Sequence, residues 1–253
     1  MTTDLKQKWA EGKPTFGGWC TSGSAFTAEV MAAEGFDFVG LDVQHGLYGY
    51  ESVLSAIRAV NTTSAASIVR VPSLDLAFAG KILDAGAHGI IFPVVETADD
   101  AAAAVKACRY YPQGARSFGP VRAGVLFGRD PEVLAGLAVC MVMIETARAV
   151  DNVEQIVSVE GVDAVFIGPA DLAITYGMPV APAPVPGVHA DAIEAVRQAA
   201  SKAGLAVGMS CPNAEAALKL TAAGYTFLPI GADTHWVTAT ARAQVAAVRD
   251  AGY

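Results

Sequence analysis

Glu145 and Asp171 stand in nearly identical settings, and two carboxylates so placed can do chemistry together. Glu145 ends the apolar run Val139-Cys140-Met141-Val142-Met143-Ile144, and Asp171 follows Ala164-Val165-Phe166-Ile167-Gly168-Pro169. The residues between them, Ala149 to Gly161, read as a helix. Two short buried strands joined by a crossover helix run parallel, so both acids project from one edge of the sheet. Two hard oxygen donors at one edge suit a divalent cation that keeps several waters. A general acid–base pair of the glycosidase kind is the other reading. Barrel glycosidases usually surround the sugar with aromatics, and only 8% of this chain is aromatic. Metal ligation is the preferred reading.

Other residues with reactive side chains fall at the same edge. His45 ends a strand, and an imidazole there suits proton abstraction near neutrality; a lone histidine is otherwise structural. Arg70 ends the run Ser67-Ile68-Val69 and needs an anion beside it. That anion is either a neighbouring carboxylate or an oxyanion of the substrate. His88, His189 and His235 fall at helix boundaries and read as caps or surface residues. The segment Gly168-Pro169-Ala170-Asp171-Leu172-Ala173 reads as a strand entering a tight turn whose N–H groups could hold a carboxylate. Lys6, Lys8 and Lys13 lie in the N-terminal lead, and Lys81, Lys106, Lys202 and Lys219 lie in helices. No lysine ends a strand, so a Schiff-base mechanism lacks its amine, and a metal is the expected electrophile.

The elements that must position these groups repeat along the chain. Apolar runs at Phe16–Thr21, Phe36–Val43, Ala66–Val71, Gly89–Val95, Val139–Ile144, Ala164–Pro169, Leu205–Met209 and Tyr225–Ile230 read as strands. Helical spacing separates them, with Ser24 and Thr97 as candidate caps and a last helix from Trp236 to Ala251. Two stretches break the rhythm: a Gly/Pro/Arg-containing loop, Tyr111 to Asp130, and a proline-rich one, Ile174 to Val188. Eight strand–helix units in 253 residues fit a single (β/α)8 TIM barrel spanning 1–253. A doubly wound sheet is disfavoured because no GxGxxG opens the first turn. In a barrel, chemistry sits at the strand C-termini, where Trp19, Asp42, Gln44, His45, Arg70, Glu96, Glu145, Asp171, Ser210, Asp233 and Thr234 collect.

Composition narrows the classes. The formal net charge is −8 with no basic cluster, which argues against nucleic acid. The mean hydropathy of +0.39 reflects Ala-rich helices, because every apolar run stops well short of the ~18 residues that a membrane span needs. The charged N-terminal lead lacks an apolar h-region. Four scattered cysteines, Cys20, Cys108, Cys140 and Cys211, form no CxxC and read as buried reduced thiols of a cytoplasmic protein.

These motifs together resemble the HpcH/HpaI group of class II, metal-dependent 2-oxo-acid aldolases. The likeness runs from about Phe16 to Thr234. It includes Gly17-Gly18-Trp19, Leu41-Asp42-Val43-Gln44-His45-Gly46, Val69-Arg70-Val71-Pro72 and Leu83-Asp84-Ala85-Gly86-Ala87. It continues through Tyr111-Pro112-Gln113-Gly114-Ala115-Arg116, Ile144-Glu145-Thr146 and Gly168-Pro169-Ala170-Asp171-Leu172. The resemblance implies that Glu145 and Asp171 bind Mg2+, Mn2+ or Co2+, and that a 2-oxo acid lies against Trp19, Gln44, Met143, Gly168, Pro169, Ala170 and Asp171. His45, made more basic by Asp84, would accept the proton of the C4 hydroxyl in the cleavage direction, and Arg70 would stabilise developing charge. It further implies a hexamer, a trimer of dimers exchanging the last helix, with a 2-oxo acid and an aldehyde as small-molecule partners. Two positions depart from the group: Gln44 replaces a usual Glu, and Met143 a usual Gln that contacts the oxo acid. Both changes predict a roomier nucleophile pocket that accepts hydroxypyruvate as well as pyruvate. A citrate-lyase-like CoA-ester lyase and a non-catalytic oxo-acid-binding oligomer are the alternatives.

Overall fold

Each strand is buried on both faces, so its sequence is a continuous apolar run rather than an alternating one. The computed structural model describes residues 2–253. Its strands are β1 (Thr15–Cys20), β2 (Phe38–Asp42), β3 (Ala66–Arg70), β4 (Gly89–Phe92), β5 (Val139–Ile144), β6 (Ala164–Ile167), β7 (Ala206–Met209) and β8 (Phe227–Ala232). All pairings are parallel, and β1 pairs with β8 to close an eight-stranded barrel in sequence order. The TIM-barrel expectation is met.

The helices are α1 (Leu5–Ala10), α2 (Ala25–Ala33), α3 (Tyr50–Val60), α4 (Leu76–Asp84), α5 (Ala98–Cys108), α6 (Ala123–Phe127) and α7 (Pro131–Leu137). They continue as α8 (Ala147–Asp151), α9 (Val153–Val157), α10 (Pro169–Thr175), α11 (Val188–Lys202), α12 (Ala214–Ala222) and α13 (Asp233–Asp250). Ser24 caps α2 by accepting the Thr27 N–H, and Thr97 forms a capping box with Asp100 at α5.

Alternation within each strand separates two cores. Val139, Met141 and Met143 of β5 point into the barrel, while Cys140, Val142 and Ile144 meet the helical layer. Inside, Phe38 and Phe227 stack with centroids 4.0 Å apart, and Phe166 meets Phe227 edge-on. The narrow interior needs glycines opposite its rings: a Cβ on Gly40 would lie 2.2 Å from the Trp19 ring, and one on Gly17 2.3 Å from Phe38. Below these rings α1 plugs the N-terminal end. Leu5 is buried, Trp9 packs edge-on against Phe227, and its indole N–H donates to Thr15 Oγ1 at 3.0 Å.

Five local readings change. The polar lead contains α1, because Asp4 caps it and Leu5 finds the barrel floor. The stretch Ala149 to Gly161 is two short helices, broken at Asn152, whose side-chain amide donates to the Glu96 carbonyl. The long loop after Tyr111 contains α6, and Gly168–Ala173 opens a helix, with Pro169 at its first position. His88 and His189 are buried rather than superficial. Among the described residues no helix is long and apolar enough to cross a membrane.

Because Phe38 is fully buried in the ring stack, Phe38→Ala should cost about 3–5 kcal/mol. Phe26→Ala, at a site 73% exposed, should stay within about 0.5 kcal/mol. Urea denaturation of the two variants checks this; equal midpoints would contradict the packing described.

Candidate active site

Asp42 and Arg70 end adjacent parallel strands in matching register, so their side chains meet at the barrel mouth. Arg70 Nε donates to Asp42 Oδ1 at 3.0 Å, and Nη2 donates to Oδ2. Asp42 Oδ1 also accepts the backbone N–H groups of Gln44 (3.1 Å) and His45 (3.2 Å), and Trp19 Nε1 reaches Oδ2 at 3.3 Å. Burial pushes the Asp42 carboxyl up, but the Arg70 hydrogen bond and charge, with the His45 and Trp19 donors, outweigh burial and hold it below the usual value. The pair therefore stays charged. Asp42 is the neighbouring carboxylate that Arg70 required. Nη1 of Arg70 does not bond Asp42; among the described residues its one hydrogen-bond acceptor is the Met143 sulfur at 3.9 Å, a weak one.

Glu145 has the opposite environment. It is 2% exposed, and among the described residues no basic side chain bonds it and its one hydrogen bond comes from the Val94 N–H to Oε1 at 2.8 Å. Burial raises its carboxyl, the Val94 bond opposes that, the charge of Asp171 adds to the rise, and Arg70 lowers it slightly. Asp171 lies in the first turn of α10, exposed and free of hydrogen bonds from other side chains. The two acids therefore act on one another electrostatically and neither is bridged to a basic partner. Gly168 explains how they approach: a Cβ there would lie 2.7 Å from Glu145 Oε2 and 2.6 Å from Met143 Cε. The Gly168 N–H in turn donates to the Ile144 carbonyl at 3.0 Å, tying the Asp171 turn to the strand that ends beside Glu145.

The remaining candidates arrange themselves around this centre. Met143 is buried between Arg70 and Gly168. Trp19 stacks on Phe166 at 6.0 Å and lies under the Arg70 guanidinium at 5.4 Å. The side-chain oxygen of Gln44 is buried without a hydrogen-bond partner. His45 is exposed on the loop after β2, and its imidazole makes no hydrogen bond among the described residues. Asp84, at the end of α4, bonds Arg116 Nη2 at 2.7 Å rather than His45. Pro169 is buried and Ala170 partly so, at the start of α10, where backbone N–H groups lack intrahelical partners.

Of three further contributors, two escaped the sequence reading. Asp42 was legible, since it ends its strand one neighbour from Arg70. Val94 was not: it adopts φ 52°, a left-handed conformation costly for a β-branched residue, and so turns its N–H toward Glu145. His189 is fully buried and bonded to the Pro169 carbonyl at 2.9 Å.

The donor set fits a hard divalent cation. A buried carboxylate has a free oxygen over Gly168 and a second carboxylate nearby, and among the described residues no basic side chain bonds either, the charge of Arg70 acting only from a distance. Among the described residues no three His, Cys, Asp or Glu side chains converge, so any ion there keeps most of its shell for water and substrate.

The HpcH/HpaI aldolase/citrate lyase family model matches residues 15–240. A 4-hydroxy-2-oxovalerate aldolase of Rhodococcus jostii is 42% identical over 91% of this chain and 90% of its own. A hydroxypyruvate/pyruvate aldolase of Rhizorhabdus wittichii is 36% identical over 95% of this chain and 96% of its own. The crystal structure of an HpcH/HpaI aldolase/citrate lyase family protein from Burkholderia cenocepacia superposes with a TM-score of 0.89 at 34% identity, covering 98% of this chain and 100% of that one. With matches of this length on a closed barrel bearing paired acids at its mouth, the chain belongs to the HpcH/HpaI aldolase/citrate lyase family.

Proposed function

We propose that this protein is a divalent-metal-dependent aldolase that reversibly adds the enolate of a 2-oxo acid, pyruvate or hydroxypyruvate, to an aldehyde, giving a 4-hydroxy-2-oxo acid. The observation that carries the reading is the buried Glu145, bonded among the described residues by no basic side chain and close enough to Asp171 to feel its charge. The aldolase activities of the two curated relatives support it. Glu145 and Asp171 would hold the ion, with Mg2+, Mn2+ and Co2+ all compatible with two carboxylates. When bound, it would supply Lewis-acid stabilisation of enolate charge.

The chain's own groups do the rest. The first-turn N–H groups of Ala170 and Asp171 hold the oxo-acid carboxylate, over the close approach that Gly168 permits. Arg70, locked by Asp42, offers the uncommitted Nη1 to developing negative charge. Because Asp42 already holds Arg70 on two nitrogens, the guanidinium does not reorganise when that charge appears. His45 takes the hydroxyl proton in cleavage and returns it in synthesis; exposure on its loop leaves the imidazole able to meet substrate. Asp84, held by Arg116 on Oδ1, keeps Oδ2 free among the described residues and would raise the basicity of that imidazole.

Hydroxypyruvate is favoured by two features. The buried Gln44 oxygen lacks a donor, and a 3-hydroxyl supplies one where a methyl group cannot. Met143 leaves apolar, deformable space between Arg70 and Gly168. The acceptor is an aldehyde whose identity the long loops select. Assembly as a hexamer, a trimer of dimers, belongs to the same proposal: α13 buries only Asp233 and exposes Val237, Val245 and Val248, surface that an exchanged helix would cover. A cytoplasmic setting suits the four free thiols, all buried.

Three outcomes test this reading. Stripped by EDTA, the protein should release no pyruvate from a 4-hydroxy-2-oxo acid, and Mg2+ or Mn2+ should restore release; chelator-resistant cleavage would contradict it. Since the Glu145 carboxyl is raised, its protonated form stabilises the metal-free fold below the ordinary carboxyl range, and this is lost as pH rises through the raised value. Without metal, the melting temperature of the wild type should fall relative to Glu145→Gln as pH rises above the ordinary carboxyl range, and saturating Mn2+ should reverse the difference. Parallel profiles would count against it. Finally, Met143→Gln should lower the hydroxypyruvate-to-pyruvate ratio of aldol rates by roughly threefold or more; an unchanged ratio would remove Met143 from donor choice.

A further inference from the structure

His189 lies on α11, outside the strand ends, and is 0% exposed. Its Nδ1 accepts the Val185 N–H at 3.2 Å, which puts the ring proton on Nε2. Nε2 lies 2.9 Å from the Pro169 carbonyl and donates to it. Pro169 is the first residue of α10, two positions before Asp171 and one after Gly168. The turn is therefore tied on both sides. Gly168 anchors it to Ile144 on β5, next to Glu145, and His189 anchors it to α11. Val185 is itself fixed twice, since its carbonyl accepts the Ala190 N–H at 3.0 Å. One imidazole thus joins the proline-rich segment, α11 and the turn bearing Asp171.

We propose that His189 is a positioning residue whose Nε2–H bond to Pro169 sets the placement of Asp171 and of the Ala170 and Asp171 N–H groups against Glu145. This rests on the reading of that turn as the cation and oxo-acid site. Rings or carboxylates that touch a cation are held in place by such outer bonds, whose loss lowers metal affinity roughly tenfold or more. His189 acts one bond further out, through a carbonyl of the turn. No step of the reaction passes through it.

Two near-isosteric variants separate the imidazole's two bonds. His189→Gln presents an amide N–H where Nε2 stood and keeps the Pro169 bond. His189→Asn presents its amide oxygen near Nδ1 and keeps the Val185 bond while losing Pro169. Mn2+ affinity, read from the electron paramagnetic resonance signal of free Mn2+, should stay within about threefold of wild type in His189→Gln. It should weaken by roughly tenfold in His189→Asn, with a matching rise in KM for pyruvate. Melting temperatures of both variants, taken without metal, show whether a loss of affinity merely follows a loss of fold. Equal affinities in Gln and Asn variants, or losses that track melting temperature alone, would overturn the inference. A wild type that takes up no Mn2+ would instead overturn the metal reading beneath it, and this inference with it.

Discussion

A carboxyl group buried without a basic partner is costly to ionise, and Glu145 is such a group. One backbone N–H from Val94 offsets part of that cost, and Val94 must adopt a left-handed backbone to give it. Asp171 makes the ionised state harder still. Proteins keep strained backbone and unpaired buried charge mainly where they serve function. Three features fix the turn beside this carboxylate: the missing Cβ at Gly168, the tie of Gly168 to Ile144 and the bond of His189 to the Pro169 carbonyl.

The Asp42–Arg70 pair solves the complementary problem. Here two opposite charges bury together with satisfied hydrogen bonds, so both stay ionised and rigid. Asp42 also gathers Trp19 and the backbone of the Gln44–His45 loop, so one carboxylate orients the guanidinium and the loop carrying the imidazole. The mouth thus has a guanidinium locked by a carboxylate on one side and two carboxylates bonded by no basic side chain among the described residues on the other. Met143 lies between them as the apolar surface where substrate carbon would rest.

The barrel was legible because strands buried on both faces write themselves as apolar runs, and glycine or a cap closes each helix. Positions at strand ends were legible for the same reason: Asp42, Arg70 and Glu145 each terminate or directly follow such a run. What escaped depends on contacts distant in sequence or on backbone shape. Nothing about Val94 announces a left-handed residue. His189 looks like a helix-start histidine until α11 packs beside α10. The helix at Leu5–Ala10 reads as a polar lead until Leu5 and Trp9 meet the barrel floor. Asp84 shows how little of a side chain's surroundings a motif carries: its bond from Arg116, distant in sequence, appears only once the loop after Tyr111 folds back on α4.

The most direct measurement is anomalous scattering at the manganese edge from crystals grown with Mn2+ and pyruvate. A single strong peak between the Glu145 and Asp171 carboxylates, beside Gly168 and in contact with the bound oxo acid, is the result expected. A mouth without such a peak, with Glu145 still satisfied by Val94 alone, would contradict the assignment of these two acids as the metal site.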